Sequence, residues 1–313
     1  MKYKIFVDGS EGTTGLQIND RLNMRDDLLL LHIEQEKRKD IEERRLLLNS
    51  ADIVFLCLPD AAAKESVSLI SNPTTKVIDA STAHRVNPNW CYGFPELSSE
   101  HRKKIAKAHR VSVPGCYATG FISLIYPCIT MGLINVDYPV TTHAVSGYSG
   151  GGKKLINQYQ TEFEERLETP QLYSLGLSHK HIPEMKYICG LLYAPIFSPL
   201  VCNYYKGMSV CVPIHNRLLS KKYSVKDFHA ALEQHYSNEG FVRVMPLGSE
   251  NLLPNGFVNA NKVNNTNSLE IYVTGNEDQI LLTAILDNLG KGSSGAAVQC
   301  MNIMLGLDES VGL

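Results

Sequence analysis

A cysteine set in a turn between a strand and a helix is the residue in this chain best suited to covalent chemistry. Cys116 lies in Val111-Ser-Val-Pro-Gly-Cys-Tyr-Ala-Thr-Gly120. Ser112-Val113 reads as the end of a short β segment, Pro114-Gly115 as a tight turn, and Ala118-Thr119 onward, with Phe121, Leu124 and Ile125, as an apolar helix start. A thiol there faces the unpaired N–H groups and the positive dipole end of the helix. Both favour a thiolate, and the same groups would receive an oxyanion on a carbonyl under attack. Cys116 is therefore the candidate nucleophile, weighed against a small buried hydrophobe.

A nucleophilic thiol needs an acid–base partner, and Ser178-His-Lys-His-Ile-Pro-Glu184 supplies two histidines, His179 and His181. The pair could also ligate a metal, but no third or fourth ligand is spaced to join it. The eight cysteines are scattered, with no Cys-x-x-Cys pair. We therefore expect neither a metal site nor a disulfide framework. One histidine should serve Cys116, and the other should be a hydrogen-bonded structural residue.

These residues need a scaffold, and the start of the chain supplies one. Tyr3-Lys-Ile-Phe-Val7 is rich in strand formers, and Asp8-Gly-Ser-Glu-Gly-Thr-Thr-Gly15 leads into Leu16, Ile18 and Leu22. Glycines at 9, 12 and 15 make G-x-x-G-x-x-G between a strand and a helix, a variant of the dinucleotide fingerprint; the alternative is an ordinary βα turn. The next strand, Leu28 to Ile33, ends in Glu34-Gln-Glu-Lys-Arg-Lys39. Glu34 could bind a ribose, or Lys37, Arg38 or Lys39 a 2′-phosphate, or the run could be a solvated helix start. Ile53-Val-Phe-Leu-Cys-Leu58 reads as a strand covered on both faces. Lys76-Val-Ile-Asp79 runs into Ala80-Ser-Thr-Ala-His-Arg85 at the carboxyl edge of the sheet, where Ser81 could line the cofactor site and Arg85 either meet an anionic substrate or stand as a surface arginine.

Beyond Cys116 the character changes. Val140 to Ser146 alternates like a half-exposed strand and leads to Gly147-Tyr-Ser-Gly-Gly-Gly-Lys153, a loop able either to wrap an anion or simply to connect. Segments Pro195 to Val212 and Ser268 to Thr274 are β-rich, which suggests a mixed or antiparallel sheet in an inserted α+β domain. The expected fold is α/β: a Rossmann-type domain of residues 1–116 plus 287–313, and an α+β catalytic and oligomerisation domain of residues 117–286. A length of 313 residues accommodates both. A net charge of −2 gives no basic stripe for nucleic acid. No apolar run approaches the roughly 18 residues of a membrane span, and the N-terminus enters a strand without a signal-peptide core. A soluble, reduced, cytoplasmic protein is expected.

Taken together, these segments resemble the N-acetyl-γ-glutamyl-phosphate reductase family, the arginine-biosynthesis branch of the aspartate-semialdehyde dehydrogenase-like superfamily. The likeness covers nearly the whole length. It rests on Gly9-Ser-Glu-Gly-Thr-Thr-Gly15, Asp79-Ala-Ser-Thr-Ala-His-Arg85, Val113-Pro-Gly-Cys-Tyr-Ala-Thr-Gly120, Ser146-Gly-Tyr-Ser-Gly150, His179-Lys-His-Ile-Pro-Glu184 and Asp287-Asn-Leu-Gly-Lys-Gly292. The compact stretch between Leu31 and Asp52 is like that of the family's shorter form.

The resemblance implies an NADPH-dependent reduction of N-acetyl-γ-glutamyl phosphate to the semialdehyde, with phosphate released through a Cys116 thioester. It implies that a histidine of the pair, with His181 favoured, is the acid–base partner. It also implies that Gly9, Ser10, Gly12, Thr13, Thr14 and Gly15, with Ser81, hold NADP, and that Asn288 lies near the nicotinamide. Substrate contacts would come from Arg85, Ser146, Gly147, Lys153 and Glu184. Where longer members carry Arg-Gly after the histidine motif, this chain has Tyr205-Lys-Gly207, which leaves the phosphate anchor open among Lys206, Arg85 and Lys153. A homodimer or homotetramer acting on a small acyl phosphate is implied. Reduction of another acyl phosphate such as aspartyl phosphate, or a non-catalytic nucleotide sensor, are the alternatives.

Overall fold

The computed structural model describes residues 2–161 and 164–313. The chain divides into two compact units, residues 1–115 with 293–313 and residues 116–292.

In the first unit, strands and helices alternate in sequence: β1 (Tyr3–Asp8), α1 (Thr13–Asn23), β2 (Leu28–Leu31), α2 (Ile41–Ser50), β3 (Ile53–Leu56), α3 (Asp60–Leu69), β4 (Lys76–Asp79), β5 (Cys91–Tyr92), α4 (Ser99–Lys107) and β6 (Arg110–Ser112). They build a six-stranded sheet of order β2-β1-β3-β4-β6-β5, parallel at every pairing. The strand order reverses between β1 and β3, which opens a crevice at the carboxyl ends of the strands. Successive residues of each strand face opposite layers. Ile5, Val7, Ile53, Phe55 and Ile78 pack under α1 and the C-terminal helix Gly295–Leu305. Phe6, Val54, Leu56 and Val77 pack with Leu48, Ala63 and Trp90 on the other face. This two-sided cover is why β3 is apolar throughout.

The C-terminal helix belongs to this unit through small buried residues, Gly295, Ala296 and Ala297, and through buried polar ties. Arg25 Nη1 donates to Asn302 Oδ1 at 2.6 Å while its other nitrogens hold Asp27. The expected return of the chain at residue 287 is corrected by the structure: residues 287–292 stay with the second unit. There Asp287 Oδ2 accepts from the N–H of Asn265 and Asn288 Oδ1 from that of Gly207.

The second unit contains α5 (Cys116–Thr130), β7 (Thr141–Gly147), α6 (Gly152–Thr161), β8 (Gln171–Leu172), α7 (Ile182–Cys189), β9 (Ile196–Cys202), β10 (Met208–His215), α8 (Val225–Tyr236), β11 (Val242–Val244), β12 (Leu269–Gly275) and β13 (Gln279–Leu286). Its seven-stranded sheet has the order β11-β12-β13-β10-β7-β9-β8. The sheet is mixed, with parallel pairs β11/β12 and β7/β9 and antiparallel pairs elsewhere. Helix α5 is buried on nearly every side, as a helix apolar all round must be. It packs on β10 and β13 and against α7 and α8. A Cβ on Gly120 would lie 2.6 Å from Val210 Cγ2, so the absence of a side chain sets how closely α5 approaches the sheet.

Candidate active site

Each unit presents one set of chemistry-bearing residues. In the first, the turn from β1 into α1 is held by its outer glycines. Gly9 has φ +86, and a Cβ there would lie 2.5 Å from the Cys57 carbonyl oxygen; a Cβ on Gly15 would lie 2.5 Å from that of Gly9. The same test at Gly12 finds only ordinary contact, 3.5 Å from Gly9 O. The fold therefore explains Gly9 and Gly15 and leaves Gly12 as a place where a ligand can approach the backbone.

Helix α1 opens without a side-chain cap and without an acid in its first turn. Thr13 Oγ1 is buried with no hydrogen-bond partner, while Thr14 Oγ1 lies 3.1 Å from Ser293 Oγ. An uncapped helix start and an orphaned hydroxyl are donors a pyrophosphate can use, and Gly12, whose own N–H is donated to Gly9 O at 3.1 Å, leaves room for it to approach. Ser10 sits half-buried in the same turn.

At the carboxyl end of β4 the side chains brace one another. Asp79 Oδ2 accepts from Ser81 Oγ at 2.7 Å and lies 2.6 Å from His84 Nδ1, and His84 stacks on Trp90 at 4.1 Å. Ser81 is thus tied into its own turn. Arg85 is buried, not a surface residue; it donates from Nε to Val113 O at 2.9 Å and from Nη2 to Ala80 O at 3.2 Å. Neither the His84–Asp79 pair nor the clamp beneath the glycine turn stood out in the sequence. In that clamp, Arg44 Nη2 and Ser66 Oγ both donate to Asp8 Oδ2.

In the second unit Cys116 is the first residue of α5, so the helix begins at the thiol itself and not after it. Cys116 is half-buried. Gly292 lies against it: a Cβ on Gly292 would come within 2.7 Å of Cys116 Cβ. His181 is buried at the N-cap of α7. Pro183 in the first turn and Gly190 in the left-handed cap position delimit that short helix.

Tyr117 joins the two helix starts, its ring centroid 5.9 Å from that of His181 and 5.6 Å from that of His179. His179 is fixed at both nitrogens. Nδ1 accepts from the His181 peptide N–H at 3.1 Å, and Nε2 lies 3.3 Å from the Tyr173 hydroxyl. Burial pushes Tyr117 well above the usual tyrosine range, and the neighbouring Tyr173 and Cys116 add to the rise. Tyr173 is raised mainly by burial as well. Both therefore remain neutral O–H groups beside the thiol. Sequence reasoning missed them, although Tyr117 adjoins the nucleophile.

The remaining expected contacts divide between frame and surface. Asn288 is buried and engaged at both ends of its amide, donating to Ser149 Oγ at 3.0 Å and accepting from Gly207 N at 2.8 Å. Ser146 Oγ donates to Gly147 O at 3.0 Å, and Glu184 is buried in the first turn of α7. Lys206 Nζ is tied to Asn265 Oδ1 at 2.5 Å and lies 3.6 Å from Asp287 Oδ2. Lys153 is exposed in the first turn of α6, so the glycine run before it is a helix approach and not a slack connector. Among the described residues no group of three or more His, Cys, Asp or Glu could hold a metal ion, and no helix is long and apolar enough to cross a membrane.

A thiol at a helix N-terminus, whose neighbour Tyr117 packs on a histidine pair, has the makings of a site that forms and resolves an acyl adduct. Comparison with known proteins bears on that chemistry. A family described as semialdehyde dehydrogenase, NAD binding domain, matches residues 4–105, and its companion, the semialdehyde dehydrogenase dimerisation domain, matches residues 116–288. An N-acetyl-gamma-glutamyl-phosphate reductase 2 of Nostoc sp. is 48% identical over 100% of this chain and 99% of its own. One from Pseudomonas putida is 46% identical over 98% of each. Aspartate semialdehyde dehydrogenase II from Vibrio cholerae shares the fold with a TM-score of 0.74 over 98% of this chain and 99% of its own, at 14% identity. The Candida albicans aspartate semialdehyde dehydrogenase crystallised with NADP has a TM-score of 0.61 over 97% and 99%, at 13% identity.

Proposed function

The chain belongs to the N-acetyl-γ-glutamyl-phosphate reductases of the semialdehyde dehydrogenase family, and from that premise we propose how its residues carry the reaction. The protein reduces N-acetyl-γ-glutamyl phosphate to the semialdehyde in arginine biosynthesis, releasing phosphate. The observation that carries the reading is Cys116 at the first position of α5, with the ring of the adjoining Tyr117 packed against the His179–His181 pair.

A carboxylate resists hydride attack, whereas its phosphoric anhydride yields to a thiolate. His181 takes the Cys116 proton, the sulfur attacks the acyl carbonyl, and the N–H groups of the first turn of α5 receive the oxyanion. The C–O bond to phosphate breaks, the phosphate takes a proton from water, and a thioester remains. Bound NADPH supplies the hydride that reduces this thioester. The thiohemiacetal then collapses, and the His181 imidazolium returns its proton to the departing sulfur.

Ser10, Thr13 and Thr14, with the room left by the missing side chain of Gly12, hold the cofactor phosphates; the uncapped α1 start and the orphaned Thr13 hydroxyl support this. Of the three cations considered for the substrate phosphate, Lys206 is drawn to Asp287 and Arg85 to backbone carbonyls. Lys153 is therefore assigned the phosphoryl group. Asn288 acts by holding the Ser149 and Gly207 turns together. A homo-oligomer, dimer or tetramer, is part of the reading, supported by the description of the domain matched at 116–288. A reduced cytoplasmic setting suits the eight free cysteines.

Phosphate-dependent reduction of NADP⁺, offered N-acetylglutamate semialdehyde beside aspartate semialdehyde, tests the reading by running the reaction backwards. Turnover with the acetylated compound alone is expected. Turnover with the aspartate compound instead, or with neither, overturns it.

A further inference from the structure

The turn that follows β13 holds a buried cation to which the reaction as derived gives no part. Lys291 is 0% exposed and stands between Gly290 and Gly292. Taking an ammonium out of water is expensive, and an apolar side chain of similar volume would fill the same space more cheaply. A cation so placed is therefore fixed by whatever offsets its burial. Among its contacts is the ring of Phe241, whose centroid lies 5.5 Å from Lys291 Nζ, within reach of a cation–π interaction. Phe241 is itself fastened to the sheet. Its carbonyl accepts from the N–H of Leu269 at 2.8 Å, Leu269 stands opposite Leu286 at the end of β13, and Val242 stands opposite Leu269. The Lys291 side chain thus reaches from the exit of β13 to the entry of β11, the outermost strand.

The next residue, Gly292, touches the nucleophile. A Cβ there would stand 2.7 Å from Cys116 Cβ and 3.2 Å from Cys116 Cα. The turn that delivers it has little play. The N–H groups of Gly290 and Gly292 both donate to Asp287 O, at 3.1 and 3.0 Å, Asp287 Oδ2 accepts from the Asn265 N–H, and a Cβ on Gly290 would collide with Thr266 O. Gly290 and Gly292 have no side chains to anchor, so between Leu289 and Ser293 the only side-chain anchor is Lys291.

We infer that Lys291 is a positioning residue for the thioester chemistry: seated on Phe241, it holds Gly292 against Cys116 and so keeps the sulfur over the first-turn N–H groups of α5. The inference rests on the reading of Cys116 as the nucleophile. Lys291 acts through Gly292, by packing and not by proton transfer.

Alkylation of Cys116 by iodoacetamide across a range of pH, read by peptide mapping, tests this beside steady-state rates of the reverse reaction. Lys291→Met keeps the length of the side chain and removes its charge. It should lower kcat by about 10- to 100-fold, leave KM nearly unchanged and move the alkylation midpoint of Cys116 to higher pH. A role in stability alone would lower the denaturation midpoint and move neither reading. Phe241→Leu should shift both readings the same way by less, and in the double variant the two losses should not multiply, because both remove one contact. An unchanged kcat or an unchanged alkylation midpoint in Lys291→Met overturns the inference, as do losses that multiply. Should Lys291→Met fail to fold, Phe241→Leu decides the matter, and the same unchanged readings overturn it. A wild-type Cys116 that alkylates at the same pH as in the denatured chain would overturn the nucleophile reading itself, and this inference with it, before any variant is compared.

Discussion

The peptide N–H of His181 donates to Nδ1 of His179 across 3.1 Å, and this bond divides the work of the pair. With Nδ1 an acceptor, the neutral His179 ring carries its proton on Nε2, which faces the Tyr173 hydroxyl. His179 cannot take a proton from Cys116 without releasing one of these partners. Replacing His181 with Asn should cost about 10²- to 10⁴-fold in turnover, the usual worth of a positioned acid–base group. His179→Gln removes one neutral hydrogen bond from the frame and should cost no more than about tenfold. The rate-against-pH profile should lose its ascending limb in the first variant and keep it in the second; the reverse pattern would exchange the two roles.

Cys116→Ser should fold, bind nucleotide and yet turn over almost nothing. A serine hydroxyl keeps the shape but is far harder to ionise at neutral pH than a thiol, even at a helix start. Nucleotide titration and steady-state rates on the same sample separate the two outcomes. Near-normal activity would remove Cys116 from the mechanism.

Gly292→Ala tests how tightly the chain at Gly292 packs on the thiol. A Cβ at 292 would stand 2.7 Å from Cys116 Cβ, so one backbone must move. A displacement of about 1 Å at a reacting group can cost about 10²-fold in rate, and overpacking of this kind typically costs about 1–3 kcal/mol of stability. The expected result is a large fall in kcat with a modest fall in the denaturation midpoint. Unchanged kcat would mean that the turn yields without moving the sulfur.

Much of this arrangement was legible in the residues because the signals were local. Gly9 and Gly12 lie between β1 and α1 and Gly15 in the first turn of α1, and Pro114-Gly115 introduces the α5 start. What could not be read depends on pairings distant in sequence. Asn288 meets Ser149 and Gly207 because β13, β10 and β7 are neighbours in the second sheet. Arg85 is absorbed by the Val113 and Ala80 carbonyls because β4 and β6 adjoin. The boundary at 287 was misplaced for the same reason: Asp287-Asn-Leu-Gly follows β13 directly, and its polar side chains are spent on turns of the second unit.

A second thiol should complicate any labelling of Cys116, and its behaviour with pH can be worked out. Cys211 on β10 stands directly opposite His143 on β7, with the hydroxyls of Ser209 at 3.5 Å and Thr283 at 3.6 Å from its sulfur. Burial pushes the Cys211 pKa up, but hydrogen bonds from His143, Ser209 and Thr283 outweigh it, so the thiol titrates below its ordinary value. His143 is raised, chiefly by its bond to Cys211. A thiol depressed by folding stabilises above its unfolded value, about 8.5, and that contribution is lost as pH falls through the folded value. A histidine raised by folding stabilises below its unfolded value, about 6.5, and loses that contribution as pH rises through the folded value. A Cys116→Ala protein should therefore still react with iodoacetamide at Cys211, and at a lower pH than an ordinary thiol does. His143→Gln should slow that reaction, because burial then acts on the thiol with less to oppose it. Peptide mapping of the alkylated variants checks both outcomes, and equal labelling of Cys211 with and without His143 would show that the hydroxyls alone hold the thiolate.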